Sequence, residues 1–224
     1  ENGILFYNGQ GDQINFLNLL FEKGVNTIRL RLWVNPTDDS SSFNEVKEFS
    51  TLLKSLGFKI WITPHFSDTW AHPGQQEMPE EWESLSFEEL KNTVFTYTNQ
   101  IMNEIAPDYI QIGNEINTGI LFPHGNIENN FNQFLQIINQ GVSAVRSNSN
   151  RTKIILHCAG FETSQWFFNL VNDVDYDIIG ISYYPIWHGK SLDELQSKLN
   201  ALSDNYEKEI LIAETAYPFT LGWN

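Results

Sequence analysis

Asp108-Tyr-Ile-Gln-Ile-Gly-Asn-Glu115, continued by Ile-Asn-Thr-Gly119, is the stretch whose reading decides the fold. It reads as a short buried strand that ends on a carboxylate. Period-two alternation puts Ile110, Ile112 and Asn114 on one face and Gln111, Gly113 and Glu115 on the other. A short apolar strand between helical patterns belongs to a parallel sheet covered by helices. In such sheets ligands bind beyond the carboxyl ends of the strands, where Glu115 falls. A glutamate there with an asparagine beside it is either a bridging ion-pair residue or an acid in a cleft. The stretch alone leaves both open.

Working outward, five more strands are expected: Val25–Trp33, Phe58–His65, Lys153–Cys158, Asp177–Tyr184 and Glu209–Thr215. Helical spacing covers about Gly11 to Lys23, Asn44 to Leu56, Phe87 to Ile105, Ile127 to Arg146, Thr163 to Val171 and Leu192 to Leu202. Such alternation means a doubly wound sheet or a (β/α)8 TIM barrel. No Gly-x-Gly-x-x-Gly or P-loop stretch supports a nucleotide-binding version, so the α/β barrel is preferred. Six strands are two short of closure. The expectation is therefore one catalytic barrel domain over residues 1–224, truncated at both ends, with the first and last strands missing from the chain.

The 224 residues carry a formal net charge of -15. An acidic surface without a basic stripe argues against nucleic acid and suits a neutral partner, although solubility explains the charge equally well. No run is long and apolar enough for a membrane span. Cys158 is the only cysteine, which excludes an intrachain disulfide. Asn150-Arg-Thr152 is a glycosylation sequon of a kind that arises by chance.

In the Val25–Trp33 strand, Ile28, Leu30 and Leu32 share one side, so Arg29 and Arg31 point inward, where arginines need carboxylate partners. Glu214 closes an apolar strand as Glu115 does. Two glutamates at strand ends are able to face each other across a barrel mouth, the pair that glycoside hydrolysis needs. One acid protonates the leaving oxygen and the other attacks the anomeric carbon or activates water. Separations of about 5–5.5 Å mean retention and about 6.5–9.5 Å inversion. Against this stands a structural salt bridge from each glutamate to Arg29 or Arg31. His65 and His157 are placed to bind a sugar hydroxyl or to be satisfied core residues. Asp68 and Trp70 lie in a long aromatic loop, and Trp187 lies in Pro185-Ile-Trp-His-Gly189; both indoles offer stacking faces. Of Tyr183 and Tyr184, only one is able to face inward. No His, Cys or Asp cluster has metal-ligand spacing.

With these residues in view, the chain resembles the arabinogalactan endo-β-1,4-galactanases of glycoside hydrolase family 53. The resemblance rests on residues 24–36, His65-Phe-Ser-Asp-Thr-Trp-Ala71, Gln111-Ile-Gly-Asn-Glu-Ile-Asn-Thr-Gly119, Ile181-Ser-Tyr-Tyr-Pro-Ile-Trp-His-Gly189 and Glu214-Thr-Ala-Tyr-Pro-Phe219. It implies an endo-acting, retaining enzyme acting on β-1,4-galactan and galacto-oligosaccharides. Glu115 would be the general acid/base and Glu214 the nucleophile. Asn114 would bind the sugar 2-hydroxyl, and one of Arg29 and Arg31 would hold the nucleophile ionised. His65, Asp68, Trp70, His157, Tyr183, Tyr184, Trp187 and His188 would line the substrate cleft. It also implies a monomer that is secreted, periplasmic or on the cell surface, with no cofactor except calcium in some bacterial members, whose ligands lie beyond this sequence. One departure is Ala71-His72-Pro73-Gly74, where the family has Ala-Asp-Pro-Gly. Two rival readings remain: a non-catalytic galactan-binding protein or inactive fragment, and another clan enzyme such as a mannanase or cellulase.

Overall fold

The computed structural model describes residues 5–217. Its centre is one sheet of six parallel strands: β1 (Thr27–Leu32), β2 (Lys59–Pro64), β3 (Tyr109–Gln111), β4 (Lys153–Ala159), β5 (Ile178–Ser182) and β6 (Glu209–Glu214). They neighbour one another in chain order, with no reversal. A doubly wound sheet reverses direction at a switch point, so this order marks an incomplete (β/α) barrel. Among the described residues β1 and β6 remain the two edges.

Helices α1 (Phe16–Glu22), α2 (Phe43–Ser55), α3 (Phe87–Glu104), α4 (Ile127–Asn148) and α5 (Ser164–Leu170) follow in sequence, then the single turn α6 (Pro185–His188) and α7 (Leu192–Tyr206). Their starts follow from side chains that accept otherwise orphaned amides: Ser42 from Glu45, Asn126 from Asn129 and Ser191 from Glu194. Ser86 and Glu89 form a reciprocal capping box at α3. The first helix begins later than its apolar spacing suggests. Asn15 caps it, and the preceding residues make a small hairpin, Phe6–Tyr7 against Gln13–Ile14.

Two apolar regions result. The larger lies between sheet and helices and includes Ile60, Ile110, Ile154, Ile179, Phe134 and Phe167. The smaller, built on Trp61, Ile155 and Ile178, lines the concave face. A cavity of about 360 Å³ opens there, bounded by Thr27, Arg29, Trp61, Tyr109 and residues of β6. At the amino ends of the strands, Asp108 accepts from Ile60 N (2.9 Å) and Asp177 from Ile154 N (2.8 Å). These ties satisfy strand amides and leave the opposite, carboxyl end free for a site. Among the described residues no helix is long and apolar enough to cross a membrane.

Candidate active site

Arg29, on the inner face of β1, organises the carboxyl end of the sheet. Its Nη1 donates to Glu214 Oε1 at 2.7 Å. Its Nη2 donates to Asn114 Oδ1 at 2.7 Å and Gln111 Oε1 at 3.3 Å, and Nε donates to Thr63 Oγ1 at 3.0 Å. The guanidinium also lies over the Trp61 ring, 5.0 Å from its centroid. A planar fork suits this many acceptors, which a single ammonium does not match.

Arg31 does something else. It points inward as alternation requires, but its guanidinium is clasped between Trp33 and Trp70, 4.0 and 3.9 Å from their centroids, and its Nε donates to Ser41. Of the two arginines, Arg29 is the one paired with Glu214 among the described residues.

The strand holding Glu115 ends at Gln111, and alternation fails beyond it. Gly113 has φ +77 and Glu115 φ +48, so the backbone twists through the left-handed region twice. Gln111 and Asn114, expected on opposite faces, both reach Arg29 as a result. Gln76, wholly buried, pins the twist by donating from Nε2 to the carbonyls of Asn114 (2.9 Å) and Glu115 (3.2 Å).

Glu115 is largely buried, and its Oε1 accepts from Ser182 Oγ at 2.5 Å. Burial raises its pKa above the usual carboxylate range. The Ser182 hydrogen bond pulls back, the charge of Glu214 pushes up, and His72 and Arg29 pull down. Glu214 is surrounded differently: Oε1 accepts from Arg29, and Oε2 accepts from Tyr184 Oη at 2.9 Å. The Tyr184 phenol, pushed up to about 12 by burial and then by Glu214, stays a donor across any working pH. A bulge in β6 between Ile212 and Glu214 sets Glu214 opposite Ser182. One carboxyl group is thus favoured as an acid while the other accepts at both oxygens, the pattern of a carboxylate.

The remaining candidates divide. His65 is buried; its Nδ1 accepts from Ala71 N at 3.0 Å, so its proton sits on Nε2. Burial, then Arg29 and Arg31, lower its pKa to about 3, so it is a neutral donor. Trp70 and Trp187 are 55% and 64% exposed, and Arg31 covers one face of Trp70. Four expected cleft residues are otherwise employed. His157 has no exposed surface and both ring nitrogens engaged, so it does not meet a substrate. Tyr183 turns into the core and donates to Gly189 O at 2.6 Å. Asp68 accepts from Asn35 N and Glu80 N, lacing two loops together. His188 Nδ1 accepts from Tyr184 N at 2.9 Å, and its Nε2 fills the space a side chain at Gly160 would need. Ser182, Gln111 and Gln76 belong to the site but were not singled out from sequence. Ser182 and Gln111 lie inside the quoted motifs, whereas nothing in the sequence marks Gln76. Among the described residues no group of three or more His, Cys, Asp or Glu is placed to hold a metal ion. Residues 218–224, which include the last two positions of the Glu214–Phe219 motif, lie outside the described part.

Known proteins resemble this chain over nearly its whole length. An arabinogalactan endo-β-1,4-galactanase of Cellvibrio japonicus is 33% identical over 234 residues, covering 96% of this chain and 62% of the relative. The GH53 catalytic domain of Ignisphaera aggregans superposes with a TM-score of 0.92 at 36% identity, covering 99% of this chain and 66% of that one. A fungal β-1,4-galactanase structure gives 0.88 at 30%, covering 96% and 70%. The chain thus spans only part of these relatives, 54% to 65% of the first three curated ones. The family model described as glycosyl hydrolase family 53 matches residues 1–223. With a barrel whose paired glutamates, guanidinium fork and rim indoles fall on the matched residues, the chain belongs to glycosyl hydrolase family 53.

Proposed function

We propose that this protein hydrolyses β-1,4-galactan at internal linkages by a retaining double displacement. One observation carries the reading. A single guanidinium, Arg29, touches Glu214 with one nitrogen and Asn114, the neighbour of Glu115, with the other. Two carboxyl groups therefore share one mouth in contrasting surroundings, the condition for assigning them different roles. The Cellvibrio and fungal relatives are galactanases, which supports galactan as the polymer.

In the first step Glu115 gives its proton to the glycosidic oxygen while a Glu214 oxygen bonds to the anomeric carbon. The bond to the leaving sugar breaks with its electron pair going to that oxygen. Glu115, now a carboxylate, then takes a proton from water as the water displaces Glu214. Asn114 uses one amide N–H on Ala71 O at 3.0 Å, leaving the other for the sugar 2-hydroxyl. His65 offers its Nε2–H to a substrate oxygen, and Trp70 and Trp187 present flat faces to the sugar rings.

The test is product formation from galactan by the protein, with mannan and cellulose as comparison substrates and Glu115→Gln and Glu214→Gln as controls. The anomeric form of the first product, read by NMR, reports retention. Binding of galacto-oligosaccharides without any product, or undiminished turnover in both variants, overturns the reading. Because the polymer does not cross a membrane, the reading also puts the protein outside the cytoplasm. Activity confined to the cytosol of the source cells counts against that.

A further inference from the structure

His157 is a wholly buried histidine that no substrate reaches, yet a single hydroxyl, that of Ser182, links its ring to the Glu115 carboxyl. Its Nδ1 lies 3.4 Å from Glu115 N and 3.1 Å from Gln111 Nε2, both donors. Gln111 cannot be turned around, because its Oε1 accepts from Arg29. Among the described residues the one acceptor near Nδ1 is Asn114 Oδ1 at 3.2 Å, and that oxygen already accepts from Arg29 and from Gln111. Nδ1 is therefore the bare nitrogen and Nε2 carries the proton. Nε2 stands 2.9 Å from Ser182 Oγ and donates to it. With that lone pair occupied, the serine hydrogen points at Glu115 Oε1. The direction of the chain is fixed, from His157 to Ser182 to Glu115.

We propose that His157 and Ser182 are positioning residues that reserve Glu115 Oε1 as an acceptor and so confine the transferable proton to Oε2. This rests on the acid/base reading of Glu115. A carboxylic acid with two equivalent oxygens holds its proton on either. Here one oxygen already receives a hydroxyl hydrogen, so the acid proton sits on the other. When Glu115 becomes the base of the second step, the same hydroxyl remains as a donor to the carboxylate. The chain thus supports both protonation states without being consumed.

The ionisable groups facing Glu115 are Glu214 from β6, Arg29 from β1, His72 from the loop after β2, Tyr184 from the end of β5, and Cys158 and His157 on β4. Of these surroundings, the Ser182 hydroxyl opposes burial most strongly. Removing it lets Glu115 hold its proton to higher pH.

The experiment compares the protein with Ser182→Ala, Ser182→Thr and His157→Gln, each checked for cooperative unfolding. Two readouts are taken. The first is the Glu115 carboxyl titration by carbon NMR of glutamate-labelled protein, assigned with Glu115→Gln, which needs no turnover. The second is the pH profile of kcat/KM on galactan. Ser182→Ala is expected to move the Glu115 titration and the alkaline limb upward by about one unit, the size of a hydrogen bond to a charged group. The second step is expected to slow by about tenfold. Ser182→Thr should restore both, and His157→Gln should shift them in the same direction by less. An unmoved titration in folded Ser182→Ala overturns the proposal, as does a uniform loss of rate at every pH. If the titration moves while the unaltered protein forms no product, the hydrolase reading fails and the positional assignment of Oε1 stands.

Discussion

Arg29 Nη1 lies 2.7 Å from Glu214 Oε1, although the two residues stand on the opposite edge strands of the sheet. In a flat sheet of six strands those edges would be roughly 24 Å apart. The ion pair therefore records how far the sheet curls, and it ties the curl to the site. Arg29→Lys keeps the charge but loses the fork that also serves Asn114, Gln111 and Thr63. Because the two side chains are 24% and 21% exposed, the loss in unfolding free energy is expected to be modest, about 1–2 kcal/mol. The loss in kcat/KM is expected to be about a hundredfold or more. Urea unfolding and galactan turnover measure the two, and wild-type values for both would remove Arg29 from the centre of the site.

Glu115 is raised above the usual carboxylate range chiefly by burial, so its folded form favours the neutral acid. Between the unfolded value of about 4.3 and the raised folded value, the native state binds more protons than the unfolded chain, and stability falls as pH rises. Glu115→Gln removes that liability. It is expected to unfold at higher temperature than the unaltered protein at pH 7, with the difference vanishing near pH 4. Turnover on polymer is expected to drop by about a thousandfold. Thermal melts across that range check the sign, and a variant equally stable at every pH would show that the burial of Glu115 has no energetic consequence.

Much of the scaffold was legible because strand and helix periods persist in this chain. Five of the six strands fall within the expected stretches, β4 overruns its own by Ala159 alone, and Arg29 faces inward as the apolar side of β1 demands. The site was less legible wherever the backbone leaves its period. Counting by twos from Ile110 sends Asn114 outward, but positive φ at Gly113 and Glu115 brings it back beside Gln111. Residue type left His157 open between a sugar contact and a core residue, and its place mid-strand in β4 buries it. The serine that joins it to Glu115 carried no signal of its own. Arg31 has the same parity as Arg29, and only the third dimension shows Trp33 and Trp70 closing around it.

Trp70 and Trp187 are both exposed but held by different means. Trp70 stacks on Arg31 and meets Trp33 and His65 edge-on, each at 5.8 Å between centroids. Trp187 meets Tyr184 at 5.1 Å and belongs to the one-turn helix α6. Replacing Trp187 by Ala is expected to raise KM about five- to tenfold with kcat little changed, the mark of binding common to ground and transition states. Trp70→Ala is expected to lower kcat as well, because His65 loses a neighbour that fixes its ring. Michaelis kinetics on galactan separate the two, and matching effects would show that the packing beneath Trp70 does not reach His65.

The twist that brings Asn114 and Glu115 to the same mouth depends on Gly113. Its φ of +77 is strained for any residue with a Cβ, and a Cβ there would stand 2.6 Å from Ile116 Cγ2 and 2.7 Å from Ile120 Cδ1. Both isoleucines are wholly buried, so neither has room to retreat. Gly113→Ala therefore combines backbone strain with overpacking, for an expected cost of about 2–4 kcal/mol. The variant relieves that cost by moving the Gly113–Glu115 backbone, which also breaks the two hydrogen bonds from Gln76. Activity is expected to fall by more than the fraction unfolded explains, about a hundredfold in protein that still melts cooperatively. Denaturant unfolding alongside kcat/KM at low temperature separates the two losses. A folded Gly113→Ala variant with full turnover would mean that the glutamate is placed by its side-chain partners alone.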